Sequence, residues 1–281
     1  MKKDMFVVTF WGVRGSRPVP GPDTLIYGGN TPCIQVQVAE RLCIIDAGTG
    51  ICNLGQELIK SGEPVKGDIF ITHTHWDHIQ GFPFFAPAFI PANHFVLYGQ
   101  GKMNNTFANL MRGQMEHPHF PVTIDQMDAQ IEFKEIDAGD ELDLGEGIII
   151  QTIHNNHPNG CLSYRINYNG RSCCCIFDTE HYSVVDPNLK RFAQNADVII
   201  YDCNFTDEEY EGKDGAASKV GYGHSTWQQG IKLVKACNAK KLVLFHHSMY
   251  RTDKEMAKIE AQARKAYPDS IAAREGMSIE I

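Results

Sequence analysis

The sequence predicts an α/β domain with sheets packed inside and helices outside. Apolar segments of strand character alternate with amphipathic segments, most of the apolar segments end in a polar or acidic residue, and the pattern occurs in two similar halves. Layers of this kind let sheets and helices bury their apolar faces against each other. Because no linker, charge block or repeat divides the 281 residues, we predict a single domain over residues 1–281.

The first half opens with a strand from Phe6 to Trp11, a Gly/Pro-rich loop over residues 12–22 and a second strand near Ile34. Arg14 and Arg17 are the only charges of this loop. Beside a metal site they would hold a substrate phosphate, whereas in an ordinary turn they would be solvated. Both interpretations stay open.

The segments that follow are a strand from Leu42 to Asp46 and an amphipathic helix from Cys52 to Ser61. A carboxylate at the end of a buried strand needs a partner. Asp46 therefore either orients a neighbouring polar group or caps the turn after it.

The stretch from Ile69 to Gly81, I-F-I-T-H-T-H-W-D-H-I-Q-G, places four metal-binding side chains directly after a strand. Side chains two apart in an extended chain point the same way, so His73 and His75 can approach one cation. The turn into the next helix brings Asp77 and His78 to a second cation. Imidazole with an added carboxylate suits a hydrolytic zinc site, and the alternative is a chance grouping in a polar loop.

The motif T-H-T-H-W-D-H resembles the signature of the metallo-β-lactamase fold, and specifically of its ribonuclease Z and phosphodiesterase branch. The run F-W-G-V-R-G-S-R-P-V-P-G-P-D-T-L-I-Y-G-G-N-T-P-C is similar to the opening of bacterial members related to cyclic-nucleotide phosphodiesterases. The resemblance extends over nearly the whole chain. It implies an αββα sandwich, and it implies that Asp46 orients a ligand histidine.

A helix is predicted from Lys102 to Glu116, after the strand F-V-L-Y-G. The long arm with which ribonuclease Z grips transfer RNA is not apparent in this segment, which counts against that substrate. His117 and His119 follow, and the sequence leaves open whether they, His181 or His247 touch a substrate.

Strands from Ile131 to Ile136 and from Gly147 to Ile153 are interpreted as the start of the second half. Asn169-Gly170 then predicts a tight hairpin. By resemblance, His157 is favoured over His154 as a ligand, because it precedes Tyr164 by the seven residues found in similar enzymes.

Further polar residues follow the later strands. Asp178 ends the second hairpin strand, and the resemblance implies that it bridges two metals. Asp202 ends the strand from Ala196, and His224 precedes a helix through Ala236 for which Ser225 and Gln228 predict a capping box. His224 resembles the histidine that phosphodiesterases of this branch use on the scissile phosphate, and Asp202 would orient it.

The strand K-K-L-V-L-F-H-H-S ends in two histidines. Neighbours on a strand face opposite ways, so only one can be a ligand, and the similarity to L-x-L-T-H-x-S elements favours His246. Thr252 with Glu255 predicts the cap of the last helix, and E-G-M-S-I-E-I predicts a closing strand.

The resemblance thus implies a two-metal site with a shared ligand. One ion would be held by His73, His75 and His157, the other by Asp77, His78 and His246, and both by Asp178. The catalytic residues would be His224, Asp77 and Asp202. We expect zinc, with manganese or iron as alternatives. Two cations about 3.5–4 Å apart lower the pKa of a bridging water and neutralise charge on an attacked phosphoryl group.

The function predicted is a dinuclear phosphodiesterase that acts on small or cyclic phosphodiesters through a metal-bridging hydroxide. The alternatives are another hydrolase of the same fold, that is a ribonuclease, thioesterase or lactamase, and a non-catalytic metal or nucleotide sensor. A redox di-iron member would carry Glu at the position of His75, so electron transfer is disfavoured.

The composition of the chain limits which binding partners the sequence predicts. The formal charge of -8 and pI of about 5.8 argue against long nucleic acids and favour a small phosphodiester or nucleotide. The sequence shows no signal-peptide core and no stretch of ~18 apolar residues, so we expect a cytoplasmic protein without membrane contact, with a homodimer as one option. Nine cysteines, including Cys173 to Cys175, fit reduced thiols.

Overall fold

The computed structural model describes residues 4–102 and 104–281. Its strands are β1 (Phe6–Gly12), β2 (Cys33–Val38), β3 (Arg41–Ile45), β4 (Lys66–Phe70), β5 (His94–Gly99), β6 (Gln130–Glu135), β7 (Glu141–Asp143), β8 (Ile149–Asn155), β9 (Cys161–Tyr168), β10 (Arg171–Ile176), β11 (Val198–Asp202), β12 (Lys241–Phe245), β13 (Ser270–Ala272) and β14 (Ser278–Glu280). The α-helices are α1 (Gly50–Leu58), α2 (Trp76–Ile79), α3 (Phe107–Gly113), α4 (Pro187–Phe192), α5 (Asp207–Glu211), α6 (Trp227–Cys237) and α7 (Asp253–Ala266). Short 3-10 helices cover Pro22–Thr24, Ile59–Ser61, Phe82–Phe84, Ala86–Phe89 and Ile124–Gln126.

The strands form two seven-stranded sheets, in the orders β14-β1-β2-β3-β4-β5-β6 and β13-β12-β11-β10-β9-β8-β7. Apolar side chains from both inner faces meet between the sheets, where the Phe70 ring lies 5.4 Å from that of Tyr164. Two further apolar clusters lie on the outer faces, one of them with residues of α1 and α3 and the other with residues of α4, α6 and α7. This arrangement confirms the predicted αββα sandwich.

Strand direction explains why polar residues gather at one edge. Strands β3 to β6 are mutually parallel, as are β10 to β13. Strand β8 is antiparallel to β9, which is antiparallel to β10, so β8 runs in the direction of β10. The residues that follow β3, β4, β8, β10, β11 and β12 therefore come together at the carboxyl ends of the two sheets.

Most predicted elements are confirmed, including the Asn169-Gly170 hairpin, in which both residues have positive φ and Tyr168 pairs with Arg171. The predicted helix from Lys102 to Glu116 is shorter, because Lys102 pairs with Asn105 in a local bridge and Thr106 caps α3. Strand β6 belongs to the first sheet and not to the second half, because it pairs in parallel with β5.

Helix α6 is capped one residue later than predicted. Thr226 and not Ser225 is the N-cap, and its hydroxyl accepts from the Gln229 N–H at 3.2 Å. The predicted capping box of Thr252 and Glu255 on α7 is confirmed. None of the helices in the described part of the chain is long and apolar enough to cross a bilayer.

Candidate metal and catalytic site

The structure brings the seven predicted metal ligands to the carboxyl edge of the two sheets, in two adjoining clusters. In the first cluster, the ligand atoms of His73, His75 and His157 all lie within 4.8 Å of one another. His75 is exposed, so this cluster opens to solvent, and its Nδ1 lies 3.2 Å from His157 Nε2. Three imidazoles that converge in this way can hold one divalent ion.

The second cluster is deeper in the protein. It consists of Asp77, His78 and His246, whose ligand atoms also lie within 4.8 Å of one another, and all three residues are buried. His78 Nε2 is 3.2 Å and His246 Nε2 is 3.4 Å from Asp77 Oδ2. A second ion would therefore have two imidazoles and one carboxylate around it.

Asp178 lies between the two clusters with one oxygen toward each. Its Oδ1 is 3.9 Å from His73 Nε2 and 3.8 Å from His157 Nε2. Its Oδ2 is 3.3 Å from both His78 Nε2 and His246 Nε2. Burial would raise the pKa of Asp178, but the histidines around it hold the pKa well below its usual range. An ionised carboxylate in this position suits a bridging ligand.

Unpaired polar atoms indicate that the two clusters and Asp178 together fit cations. His73 Nε2, His78 Nε2 and Asp178 Oδ2 are buried without a hydrogen-bond partner in the described residues. A buried polar group left unsatisfied costs about 1–3 kcal/mol, and all three of these atoms point into the cluster. Burial also holds the pKa of His73 and His157 below the usual value, which favours the neutral imidazole that binds metals.

Groups outside the clusters fix the imidazole rings. Asp46 Oδ2 lies 2.6 Å from His78 Nδ1, and the same carboxylate accepts the Thr72 N–H at 2.8 Å. Helix α1 has Thr49 as its N-cap. Of the two interpretations of Asp46, the geometry favours the orienting one. Orientation of this kind is worth about 10- to 100-fold in metal affinity in known sites.

His224 and Asp202 lie beside the first cluster as a hydrogen-bonded pair. His224 Nδ1 is 3.0 Å from Asp202 Oδ2 and 3.9 Å from Asp178 Oδ1. Asp202 is itself fixed, because it accepts the Thr179 N–H at 3.2 Å and the Asn204 N–H at 3.1 Å. Burial alone would lower the pKa of His224, but nearby carboxylates, Asp202 foremost, outweigh it and raise the pKa to about 9.

Three strand-end residues of the site have left-handed backbone conformations. Asp46 after β3, Asp178 after β10 and His246 after β12 have φ values of 62°, 55° and 57°. Residues other than Gly seldom adopt this conformation, and when they do they concentrate at functional sites. Here it turns the side chains of Asp178 and His246 into the clusters and that of Asp46 toward His78.

The loop that carries Arg14 and Arg17 does contact the site, through its backbone. Ser16 N–H donates to Asp77 Oδ2 at 2.8 Å, and a Cβ on Gly15 would lie 2.5 Å from the His246 ring. Arg14 itself is fully buried. Its guanidinium donates to the carbonyls of Gly28, Ser248 and Arg251 at 2.7, 3.2 and 2.7 Å.

The predicted role of Arg14 in substrate binding therefore needs correction, because a buried guanidinium on backbone carbonyls holds the loop closed and cannot reach a substrate phosphate. Arg17 is exposed, and its role stays a prediction. His117 and His119 are exposed and belong to neither cluster, and His181 bonds Ser225 Oγ at 3.1 Å.

Glu180 is a site residue that the sequence did not reveal. Its carboxylate accepts the N–H groups of Gly221 and Gly223 at 2.7 and 2.9 Å and the Tyr210 hydroxyl at 2.6 Å. The Gly223 carbonyl in turn lies 2.8 Å from His157 Nδ1. Glu180 thus fixes the loop that orients His157 and leads into His224. Its partners are 30 to 43 residues away, so no local pattern could have indicated them.

Glu180→Gln should weaken metal binding at the first cluster by about 10- to 100-fold, the usual effect of losing an outer partner of a ligand histidine. An amide has one acceptor oxygen, so it cannot accept all three donors, and its NH₂ group would oppose a backbone N–H. Chelator competition would measure the affinity. Glu57→Gln, at an exposed residue of α1, is the matched control, and equal affinities in the two variants would contradict the role of Glu180.

His246→Ala should lower the metal content, whereas His247→Ala should retain it. His247 points away from the clusters, and its Nε2 lies 2.9 Å from the Ala273 carbonyl. Burial foremost, with Arg14 nearby, lowers the pKa of His247 to about 3. The His247 variant should lose about 2–4 kcal/mol of stability through its cavity and the unpaired carbonyl. Metal analysis and thermal melts would test both variants, and the opposite pattern of metal loss would contradict the assignment.

Binding of an ion at the second cluster should release a proton, whereas binding at the first cluster should not. Burial lowers the pKa of His78, but Asp178, Asp77 and Asp46 outweigh it and raise the pKa well above its usual value. The raised pKa favours the protonated form of His78 in the metal-free protein, whereas a histidine that binds a metal must be neutral. The affinity of the second ion should fall about tenfold for each unit of decreasing pH. Calorimetry in buffers of different ionisation enthalpy would measure the proton, and identical heats would contradict this expectation.

Comparisons with known proteins agree with this fold. A family model for a beta-lactamase superfamily domain matches residues 41–247. Ribonuclease Z of Archaeoglobus fulgidus is 24% identical, with 99% of this chain and 98% of that protein covered. The human short-form tRNase Z structure has a TM-score of 0.67 at 19% identity, covering 97% of this chain and 98% of that one. A PhnP-family diphosphatase has a TM-score of 0.69 at 17% identity, covering 98% and 97%.

These relatives overturn one expectation. The net charge of -8 and the absence of an obvious arm led to the prediction that long nucleic acids are not partners. That prediction is wrong, because a protein whose match covers 99% of this chain is named as a ribonuclease. Net charge sums the whole surface, whereas phosphate recognition depends on local charge and on any cations at the site.

Proposed function

This chain belongs to the beta-lactamase superfamily, and on that premise we propose that it is a metal-dependent hydrolase of phosphodiester bonds. One ion would be held by His73, His75 and His157. The other would be held by Asp77, His78 and His246, and Asp178 would be shared by both. The donor set of imidazole and carboxylate favours zinc, with manganese or iron as alternatives. When bound, the ions supply an activated water and stabilise charge on the phosphoryl oxygens.

The observation that carries this proposal is the His224–Asp202 pair beside Asp178. Cleavage of an alkyl phosphodiester, such as a bond in RNA, releases an alkoxide, which is a poor leaving group unless it receives a proton. Nearby carboxylates, Asp202 foremost, raise the pKa of His224 to about 9, and they thereby favour the protonated imidazole that a general acid needs. Asp202 holds Nδ1 at 3.0 Å, which leaves Nε2 as the nitrogen that would donate the proton. Asp202 is thus a positioning residue.

RNA is the first candidate substrate, because a relative that covers nearly the whole chain is named ribonuclease Z. A small or cyclic phosphodiester is the second. It is favoured by a cavity of about 530 Å³ that borders His224, a volume within the range of roughly 300–1,000 Å³ that is usual for small-molecule sites. Both candidates use the same phosphoryl chemistry.

The proposal is tested by assaying the metal-loaded protein on four substrates in parallel: bis(4-nitrophenyl) phosphate, a nitrophenyl thioester, a chromogenic lactam and a transfer RNA transcript. We expect turnover of the diester and of RNA, loss of both on chelation and recovery with zinc. Relative rates on RNA and on cyclic nucleotides rank the two substrate classes. Turnover of only the thioester or the lactam would reject the proposal.

A further inference from the structure

We infer that the cavity beside His224 binds the nucleobase of a nucleoside attached to the scissile phosphate, an inference that rests on the proposed function and deepens it. Ser16 and His224 both line this cavity. Ser16 N–H donates to Asp77 Oδ2, so the cavity adjoins the second metal cluster on one side and the proposed acid on the other. A group joined to a phosphate at the clusters would extend into it.

Three aromatic side chains line the cavity: Phe205, Tyr222 and Tyr250. Phe205 lies with its ring 6.2 Å from that of His224 and nearly perpendicular to it. Tyr222 is 56% exposed and Tyr250 is 78% exposed, although large rings of this kind gain free energy when covered. Aromatic faces stack on any nucleobase, because every base has a π-face.

Most charged groups of the cavity already have partners within the protein. Arg251 holds Glu209 through two contacts of 2.7 Å, so neither residue is available to bind a second phosphate or a cation. Asp214 and Glu255 accept backbone N–H groups of their own turns at 3.0 and 2.8 Å. Lys219 is the remaining cation of the cavity. Its Nζ lies 5.5 Å from the centre of the Tyr222 ring, where the ammonium can donate to the oxygen or nitrogen atoms of a base.

The residues that line the cavity also favour a nucleobase over a lipid chain as its ligand. An acyl chain would need a continuous aliphatic lining, whereas Ala216 and Met249 are the aliphatic residues on this cavity. Aromatic faces combined with polar groups at the rim match a flat heterocycle. The nucleoside would come from a mononucleotide or from the end of an RNA.

The test compares adenosine 5′-monophosphate with ribose 5-phosphate in calorimetric titrations of the metal-loaded protein. Both carry the same phosphate and sugar, so their affinity ratio isolates the base. We expect the nucleotide to bind about 5- to 150-fold more tightly. Tyr222→Ala combined with Tyr250→Ala should reduce this ratio to about one, and Tyr250→Phe should preserve it. Tyr182→Ala, at a tyrosine that is 51% exposed but lines a different pocket, is the matched control.

A titration with tetra-adenylate distinguishes the end of an RNA from a mononucleotide as the ligand. If tetra-adenylate binds more tightly than the mononucleotide and the double variant loses this difference, the ligand is an RNA end. Equal binding of the two indicates a mononucleotide. Equal affinity for nucleotide and sugar phosphate in the wild type, or an unchanged ratio in the double variant, would overturn the base pocket. A protein that prefers the nucleotide but hydrolyses no phosphodiester would instead overturn the proposed function, and the pocket would stand.

Discussion

Asp178→Ala should remove at least one of two bound divalent ions per chain and abolish phosphodiester hydrolysis. The reason is geometric, since Oδ1 faces His73 and His157 at 3.9 and 3.8 Å, while Oδ2 faces His78 and His246 at 3.3 Å each. Without this carboxylate, the ions would lose both their shared ligand and the negative charge that separates them. Elemental analysis after dialysis would give the stoichiometry, alongside turnover of a chromogenic diester.

Asp68→Ala is the matched control, because Asp68 is also a buried aspartate at the sheet, but it pairs with Arg41. That variant should lose stability and keep its ions. A wild-type protein that holds only one ion at saturation would refute the two-ion site. Full metal content in Asp178→Ala would refute the bridging role alone.

His224→Ala should keep both ions and lose activity according to the leaving group. A general acid contributes typically about 10²–10⁴ in rate when the departing oxygen is basic. Nitrophenolate leaves readily without a proton, so a nitrophenyl diester should lose relatively little. A cyclic nucleotide or RNA, which releases a ribose alkoxide, should lose far more. Steady-state rates on the two substrate types, with metal content measured on the same samples, would test this.

Equal losses on both substrate types would show that His224 holds the phosphate by charge and does not transfer a proton. His181→Ala serves as the control, because His181 bonds Ser225 and is absent from the clusters found among the described residues. It should leave the dependence on the leaving group unchanged.

Much of the candidate metal site was predictable, because its chemistry is local in sequence. His73, His75, Asp77 and His78 lie within six residues, and strand geometry decides where they point. The choice of His157 over His154 and of His246 over His247 needed the resemblance. In the structure, His154 contacts Gln100 on the exposed side, and His247 bonds a backbone carbonyl.

What could not be predicted depends on distant partners. For Arg14 the sequence left open a phosphate contact or a solvated turn, and neither is observed, because its acceptors lie 14, 234 and 237 residues away along the chain. Glu180 was overlooked for the same reason. The cap of α6 was displaced from Ser225 to Thr226 because both residues can cap, and only tertiary packing selects between them.

The left-handed conformations of Asp46, Asp178 and His246 imply a conflict between the stability of the folded protein and its activity. Glycine would adopt these φ values without strain, while each residue present costs on the order of 1–3 kcal/mol. Selection for stability alone would therefore favour glycine at all three strand ends and would erase two ligands and the group that orients a third. Thermostabilised variants of this protein should be sought elsewhere in the sandwich.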